Sequence, residues 1–374
     1  MTAPAPLPEV PGPETPGPRV TVSPGSELSR PAGLTAGRLP SWTTGLVLTL
    51  AVLASASLFA ALDALGPIRI LLVSVLIFTT VMMILSLLVE DSRKATDRLA
   101  RIVVTTAFGL ALLPLASLIF SVVQKGATRF DAQFFTYSMR NIVGEGGGAA
   151  HAITGTLWVT GIATAISVPI GLLAAIYVVE YGSGALARAI TFFVDVMTGI
   201  PSIVAGLFAY ALFLLLFGPG TKSGLAGAVA LCVLMIPVVV RSVEELLRIV
   251  PNELREAAYG LGVPKWLTIV KVVLPTALAG IVTGVMLAVA RVIGETAPLL
   301  IAAGFTQSMN NDPRQGPMMT LPVFVYRSYV DQGIPAQAYL DRAWAGALTL
   351  ILIVMVLNLT GRLIAYKFAP KTRP

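Results

Sequence analysis

Long apolar segments separated by short polar ones dominate the chain after residue 40. Most of them are at least 18 residues long, which is enough to cross a ~30 Å hydrocarbon core at about 1.5 Å per helical residue. The fifth and seventh segments also contain Gly and Pro residues that break helices. We predict eight membrane-spanning helices, at residues 43–62, 68–89, 102–124, 153–179, 187–217, 224–240, 276–303 and 343–364.

The composition agrees with this pattern. Hydrophobic residues make up 56% of the chain and charged residues 12%, and the mean hydropathy is +0.83. A soluble domain carries about 25% charged residues. The apolar segments also lack the alternation of an outer-membrane barrel strand. The predicted fold class is therefore all-α, a polytopic transmembrane helical protein with about eight spans.

Four regions follow from the same pattern. Residues 1–40 are rich in proline and lack apolar periodicity, so we predict a disordered cytoplasmic tail. Residues 41–101 form an additional N-terminal transmembrane hairpin with a basic inner loop. Residues 102–366 form the main transmembrane domain, which includes a long inner loop at 241–275. Residues 367–374 form a basic cytoplasmic tail.

The distribution of basic residues predicts the orientation. With a cytoplasmic N-terminus, most of the 26 Lys and Arg residues fall in inner segments, whereas the opposite orientation would reverse the bias. We therefore expect a multi-pass membrane protein with both termini in the cytoplasm. The net charge of +7 needs no nucleic acid to explain it.

The long inner loop contains several signals for short helices. Pro251 suits a helix start, whereas Gly260 and Gly262 end a helix and Pro264 prevents its direct continuation. Ala257 and Ala258 are expected to present a nearly flat surface. A loop that projects from the membrane with such a surface is predicted to dock another protein.

The same loop resembles the EAA loop of ABC importer permeases. The spacing of its residues matches that motif, with Val in place of the usual Ile. In that family the short coupling helix of the loop contacts the ATP-binding subunit. The matching residues are Glu256, Ala257, Ala258, Gly262, Val272, Leu274 and Pro275.

Further segments show which type of ABC importer permease the chain resembles. The stretches "GTLWVTGIATAISVPIGLLAAIYVVEYG", "DVMTGIPSIVAGLFAY", "ARVIGETAPLL" and "LPVFVY" resemble PstA-type permeases of bacterial phosphate-specific ABC importers. The resemblance covers about residues 102–366. It implies a six-span type I ABC-importer permease core.

The resemblance also implies the partners. These are a second related permease, a dimeric ATP-binding subunit, an extracellular phosphate-binding protein, phosphate and membrane lipid, with no nucleic acid. The chain has no G-x-x-x-x-G-K-[ST] motif, so ATP and Mg²⁺ are expected in the partner ATPase and no cofactor in this chain. We expect neither catalytic residues nor a metal site, because His151 and Cys232 are single residues of their types.

Two charges near the middle of the predicted seventh span are the main candidates for substrate contact. Arg291 and Glu295 have the i, i+4 spacing that places two side chains on one helix face within pairing distance. A charge in the bilayer costs roughly 2.5–3.5 kcal/mol, so such residues usually face a protein interior or a water-filled path. Three interpretations remain open: a lock between helices, an anion contact on the translocation path, or a proton carrier at Glu295.

Three hydroxyl side chains are further candidates for the path. Thr296 follows Glu295 directly, and Thr198 and Ser202 flank a predicted helix break at Gly199 and Pro201. Freed backbone groups at such a break can line a cavity. A packing kink is the alternative interpretation of this segment.

Together these patterns predict a permease subunit of an ATP-driven importer that translocates inorganic phosphate into the cell. The chain itself would perform no chemistry. One alternative is a permease for sulfate or molybdate, since an arginine binds any tetrahedral oxyanion. The other is a secondary anion transporter or membrane sensor without an ATPase.

Overall fold

The computed structural model describes residues 39–63, 66–90 and 92–368, and every regular element in these ranges is helical. Residues 1–38 and 369–374, which make up most of the two predicted tails, lie outside them. The fourteen α-helices in the described ranges are α1 Ser41–Ala61, α2 Pro67–Val89, α3 Ser92–Gly126, α4 Ala132–Thr136, α5 Ala150–Ile176, α6 Ala185–Thr198, α7 Ser202–Phe217, α8 Gly224–Ile249, α9 Asn252–Gly260, α10 Lys265–Thr268, α11 Leu274–Val292, α12 Ala297–Ala302, α13 Leu321–Val330 and α14 Ala336–Phe368.

The number of possible spans confirms the predicted fold class. Seven helices are long and apolar enough to cross a membrane, and an eighth span results if α6 and α7 form one broken crossing. The axes of α6 and α7 differ by 110°. The predicted fifth span is thus two helices, because Gly199 ends α6 and Pro201 immediately precedes α7.

The contacts divide the chain into two compact units, Met1–Pro114 and Leu115–Pro374. In the first unit, α1 and α2 pack as a hairpin around a small core of Val47, Met82 and Ile102. Large apolar side chains such as Leu53, 60% exposed, cover the outside of the hairpin. That arrangement suits a helix pair surrounded by lipid.

A cluster around Glu90 fixes the end of this hairpin. The Glu90 carboxylate accepts hydrogen bonds from the Leu39 N–H at 2.8 Å, from Ser86 Oγ at 2.7 Å and from Arg98 Nη2 at 2.8 Å. Burial raises the pKa of Glu90, but the two hydrogen bonds from Leu39 and Ser86 and the charge of Arg98 outweigh that effect and hold the pKa below its usual value.

Helix α8 lies at the centre of the second unit and packs against α5, α7, α11 and α12. Most of its side chains are buried, including Leu231, Met235 and Val239, each 0% exposed. Gly171 of α5 allows the close approach, because a Cβ atom there would lie 2.6 Å from Val239 Cγ1. Side chains of α8 thus contribute much of the main hydrophobic core.

The segment "PMMTLPVFVYRSYV" contains the short helix α13. Its first residues are buried, Leu321 completely, and the Leu321 N–H donates to Thr156 Oγ1 of α5 at 2.7 Å. Helix α13 packs against α14 and α5. This segment is therefore part of the packed interior and does not form a full span.

Candidate functional site

The predicted seventh span is broken at its charged residues. Helix α11 ends at Val292, the residues Ile293–Thr296 are not helical, and α12 begins at Ala297. Arg291 lies in the last turn of α11 with an exposed side chain, whereas Glu295 and Thr296 in the break are half-buried. The cation is well placed there, because a helix C-terminus carries partial negative charge.

The break makes the predicted pairing of Arg291 with Glu295 wrong. The i, i+4 spacing brings two side chains together only along a continuous helix, and here α11 ends between them. Among the described residues, neither side chain forms an ion pair with the other or with a third group. Arg291 therefore keeps its guanidinium donors free.

The second predicted break lies at the bend between α6 and α7. Thr198 is exposed and its hydroxyl donates to the Val194 carbonyl at 2.8 Å, whereas Ser202 is half-buried at the start of α7. Asp195 of α6 forms an ion pair with Arg241 of α8, which fixes the helix before the bend.

The two breaks are connected by packing. Helix α7 lies against α12, and a Cβ atom added to Gly206 would lie 2.5 Å from the Cα atom of Pro298. Glu295 and Thr296 precede Pro298 by two or three residues, and Ser202 is one helical turn before Gly206. The contact between α7 and α12 thus brings the start of α7, with Ser202, near the break that contains Glu295 and Thr296.

The helix boundaries in the long inner loop agree with the predicted signals. Helix α9 ends at Gly260, and α10 starts directly after Pro264. Gly262 adopts a φ of +75°, a conformation that favours glycine. Three backbone N–H groups, of Leu261, Gly262 and Val263, donate to carbonyls of α9 and complete the turn.

The surface of α9 differs in part from the prediction. Glu256 and Ala257 are exposed, but Ala258 is buried with 7% exposure. Ala258 is buried because it lies on the side of α9 that packs against its own chain. Of the two alanines expected to form a flat surface, only Ala257 is exposed.

An ion pair that sequence reasoning missed holds α9 in place. Arg255 donates to Glu180 Oε1 from Nη2 at 2.8 Å and from Nε at 3.2 Å, and it also donates to the carbonyls of Val250 and Leu247. The side chains are only 12% and 5% exposed. Glu180 lies in a π-helical turn that continues α5, so this pair ties the loop directly to a long membrane helix.

Large apolar side chains are exposed in the long inner loop. Leu261 is 85% exposed and Trp266 is 60% exposed, on either side of the turn at Gly262. Exposed apolar groups beside charged ones are typical of a protein interaction site. The loop can therefore dock a partner while Arg255 fixes its position.

Comparison with known proteins agrees with this architecture. A family model described as the binding-protein-dependent transport system inner membrane component matches residues 167–374. The phosphate transport system permease protein PstA 1 of Mycobacterium tuberculosis (strain ATCC 25618 / H37Rv) is 45% identical over 279 residues, which cover 73% of this chain and 89% of that protein. The PstA of Yersinia pestis is 37% identical over 280 residues, or 74% of this chain and 92% of that protein.

A solved structure shares the fold. A chain of a bacterial ABC transporter involved in the import of the acidic polysaccharide alginate aligns with a TM-score of 0.51 at 13% identity, over 76% of this chain and 99% of that one. The sequence relatives confirm the resemblance drawn from the EAA loop and the membrane segments. The chain therefore belongs to the PstA family of phosphate transport system permease proteins.

Proposed function

We propose that the chain is one permease subunit of an ATP-driven importer for inorganic phosphate, with Arg291 on the translocation path. Arg291 is an exposed cation at the end of a membrane helix, without an acidic partner in the described part of the chain. A charge at the bilayer centre costs roughly 2.5–3.5 kcal/mol, so a water-filled path or a second subunit beside Arg291 would stabilise this side chain relative to contact with lipid tails. This observation carries the proposal.

The adjoining breaks support the same assignment. Helices α7 and α12 are in contact. Ser202 lies at the start of α7, and Glu295 and Thr296 lie in the break just before α12. A guanidinium offers two parallel donors to phosphate oxygens. Because Glu295 is not paired with Arg291, we assign it a weaker role: its negative charge nearby favours release of the anion.

The energy source lies in separate subunits under this proposal. A dimeric ATP-binding subunit docks on Glu256, Ala257 and the apolar side chains beside Gly262, and an extracellular phosphate-binding protein delivers the anion from the other side. Arg255 and Glu180 would transmit the movement of α9 to α5. Both termini of this chain lie in the cytoplasm in this orientation, which follows the excess of basic residues in the inner segments.

The test is radiolabelled phosphate uptake by cells that carry the partner subunits. Arg291→Lys keeps the charge but loses the fork-shaped donor pair, so we expect uptake to fall by roughly 10- to 100-fold, the effect of losing one charge-assisted hydrogen bond. Arg314→Lys is the matched control, because Arg314 is 78% exposed in a loop. Unchanged uptake by Arg291→Lys, at equal membrane levels, would remove Arg291 from the path.

Further experiments with the same cells distinguish the proposed function from the alternative functions. Competition by sulfate as strong as that by unlabelled phosphate and arsenate would indicate a permease for other oxyanions. Failure to recover an ATP-binding subunit after crosslinking would favour a secondary transporter or sensor. The crosslinking cysteine belongs at Ala257, since Ala258 is buried.

A further inference from the structure

A cavity of about 370 Å³ lies among the segments that connect the long helices around α13, and its lining does not include Arg291. We call it the loop cavity. Its polar lining comes from the loop after α12, from α13 and from the start of α14. The lining side chains that can donate hydrogen bonds are those of Thr306, Gln307, Arg327, Ser328, Tyr339 and Arg342.

Arg342 is the unusual member of this lining. The residue is 1% exposed, and no carboxylate in the described ranges pairs with it. Its Nη1 donates to the carbonyls of Gly144 and Gly146 at 2.7 and 3.0 Å, and its Cζ lies 4.4 Å from the centre of the Tyr339 ring. Its Nε and Nη2 have no hydrogen-bond partner of normal geometry among the described residues, although the Tyr339 hydroxyl is near enough to interact with the guanidinium.

These two free nitrogens share one edge of the planar guanidinium. That edge offers two nearly parallel N–H donors, the arrangement that binds a carboxylate or phosphate in bidentate fashion. Arg255 uses the same two nitrogens to bind Glu180. A buried donor without an acceptor costs about 1–3 kcal/mol, so the free edge of Arg342 calls for an acceptor from outside the chain.

The other charges in the cavity also favour an anion. Arg327 brings a second cation, which lies 3.6 Å from the Phe305 ring centre and pairs with Asp331 at 2.7 Å. Asp331 is the one carboxylate in the lining, and its side chain is 52% exposed. The lining thus carries one net positive charge, and Thr306 and Ser328 add hydroxyl donors.

We propose that the loop cavity binds inorganic phosphate at the free edge of Arg342, as a second anion site apart from Arg291. The chemical class follows from the paired donors and the net positive charge, and the choice of phosphate among tetrahedral oxyanions rests on the proposed function. Since Arg342 is almost fully buried, the ion reaches it when the guanidinium or the Tyr339 ring turns toward the cavity. In the proposed orientation this site faces the side from which phosphate is delivered.

The test measures protection of a thiol in the cavity. Cys232 is buried and is removed as Cys232→Ala, and Thr306→Cys then places one thiol in the lining. The full-length chain, purified in detergent with its partner subunits, is labelled with neutral N-ethylmaleimide at several phosphate concentrations. Equal ionic strength is kept with chloride.

Saturating inorganic phosphate should slow labelling by about tenfold, because protection grows as 1 + [L]/Kd. Arg342→Met should abolish the protection, and Arg342→Lys should weaken it, since an ammonium lacks the fork. Arg314→Met should leave it intact, because that variant removes the same charge from an exposed loop position. Absence of protection in the Thr306→Cys protein, or its persistence in Arg342→Met, would overturn the proposal.

A lipid headgroup has the same phosphate chemistry, so a second arm uses vesicles that contain phosphatidylglycerol. Protection by this lipid without added phosphate, and no further effect of inorganic phosphate, would also overturn the proposal. Uptake by the same cysteine variant separates this inference from the proposed function. Specific phosphate uptake without cavity protection removes the second site alone, whereas protection without uptake removes the transport assignment and leaves the site.

Discussion

Arg255 in the long inner loop and Arg342 at the start of α14 are both almost buried, and both donate to backbone carbonyls of neighbouring segments. They differ at the remaining edge of the guanidinium. In Arg255, Nε and Nη2 meet the Glu180 carboxylate, whereas in Arg342 the same nitrogens have no partner among the described residues.

This difference separates two uses of the same side chain. A guanidinium whose donors are all satisfied by its own chain acts as a fixed connection, here between α9 and the π-helical end of α5. A guanidinium with a free edge next to a cavity retains capacity for a ligand. Burial alone therefore does not distinguish a structural arginine from a binding one, but the number of satisfied donors does.

Removal of Arg255 should have the largest effect on stability. Arg255→Ala leaves the buried Glu180 carboxylate without its partner, and breaking a buried pair in this way costs about 3–5 kcal/mol. Thermal unfolding of the purified full-length chain, followed by size-exclusion fluorescence, measures the loss.

Two further variants show whether the stranded charge is the cause. Glu180→Gln added to Arg255→Ala should recover much of the stability, because the unpaired charge is gone. Arg248→Ala should change little, since Arg248 pairs with Glu244 with a side chain that is 66% exposed. Equal losses in the single and the double variant would contradict this explanation.

Removal of Arg342 should cost less than removal of Arg255. Arg342→Met strands no carboxylate; it loses two hydrogen bonds to glycine carbonyls and removes a buried charge that lacks a counterion. We expect a loss of about 1–2 kcal/mol by the same unfolding measurement. A loss as large as that of Arg255→Ala would show that Arg342 is mainly structural.

Local signals explain which parts of the fold and the site could be predicted. The end of α9 and the start of α10 follow from Gly260, Gly262 and Pro264, because glycine permits the left-handed turn at Gly262 and proline prevents α9 from continuing. The apolar segments likewise predict the number of spans, since length and composition decide whether a helix can cross a bilayer.

Contacts between distant segments could not be predicted in this way. Glu180 and Arg255 are 75 residues apart, and Arg342 and Gly144 are 198 residues apart. The burial of Ala258 depends on how α9 packs, which an isolated loop sequence does not contain. The wrong pairing of Arg291 with Glu295 has a local cause, because the helix ends at Val292 and the segment that contains Gly294 separates the two side chains.

The smallest predicted effect concerns Asp131, next to the glycine segment that Arg342 holds. Asp131 Oδ1 accepts the Phe134 N–H at 2.7 Å and caps α4, and its carboxylate pairs with Arg129, which also donates to the Gly147 carbonyl. Burial raises the pKa of Asp131, but the hydrogen bond from Phe134 and the Arg129 guanidinium outweigh it and hold the pKa below its usual value. A lowered pKa means that the carboxylate stabilises the fold above its unfolded pKa of about 3.9, and that this contribution disappears as the pH falls through the folded pKa.

Asp131→Ala should therefore destabilise the chain by about 1 kcal/mol at pH 7, the usual cost of losing a helix cap. The difference from wild type should shrink as the pH falls below about 4, where the unfolded carboxylate begins to be protonated, and should disappear below the lowered folded pKa, where the carboxylate is protonated in both the folded and the unfolded chain. Asp131→Asn keeps a capping oxygen but cannot titrate, so its small difference from Asp131→Ala should not depend on pH. Unfolding temperatures at pH 7, at pH 4 and at about pH 2 measure this effect, because the loss occurs below the unfolded pKa of about 3.9. A pH-independent gap between wild type and Asp131→Ala would assign the stabilisation to cap geometry alone, and the loop segments beside Arg342 would then be held by carbonyl contacts without help from an ionised carboxylate.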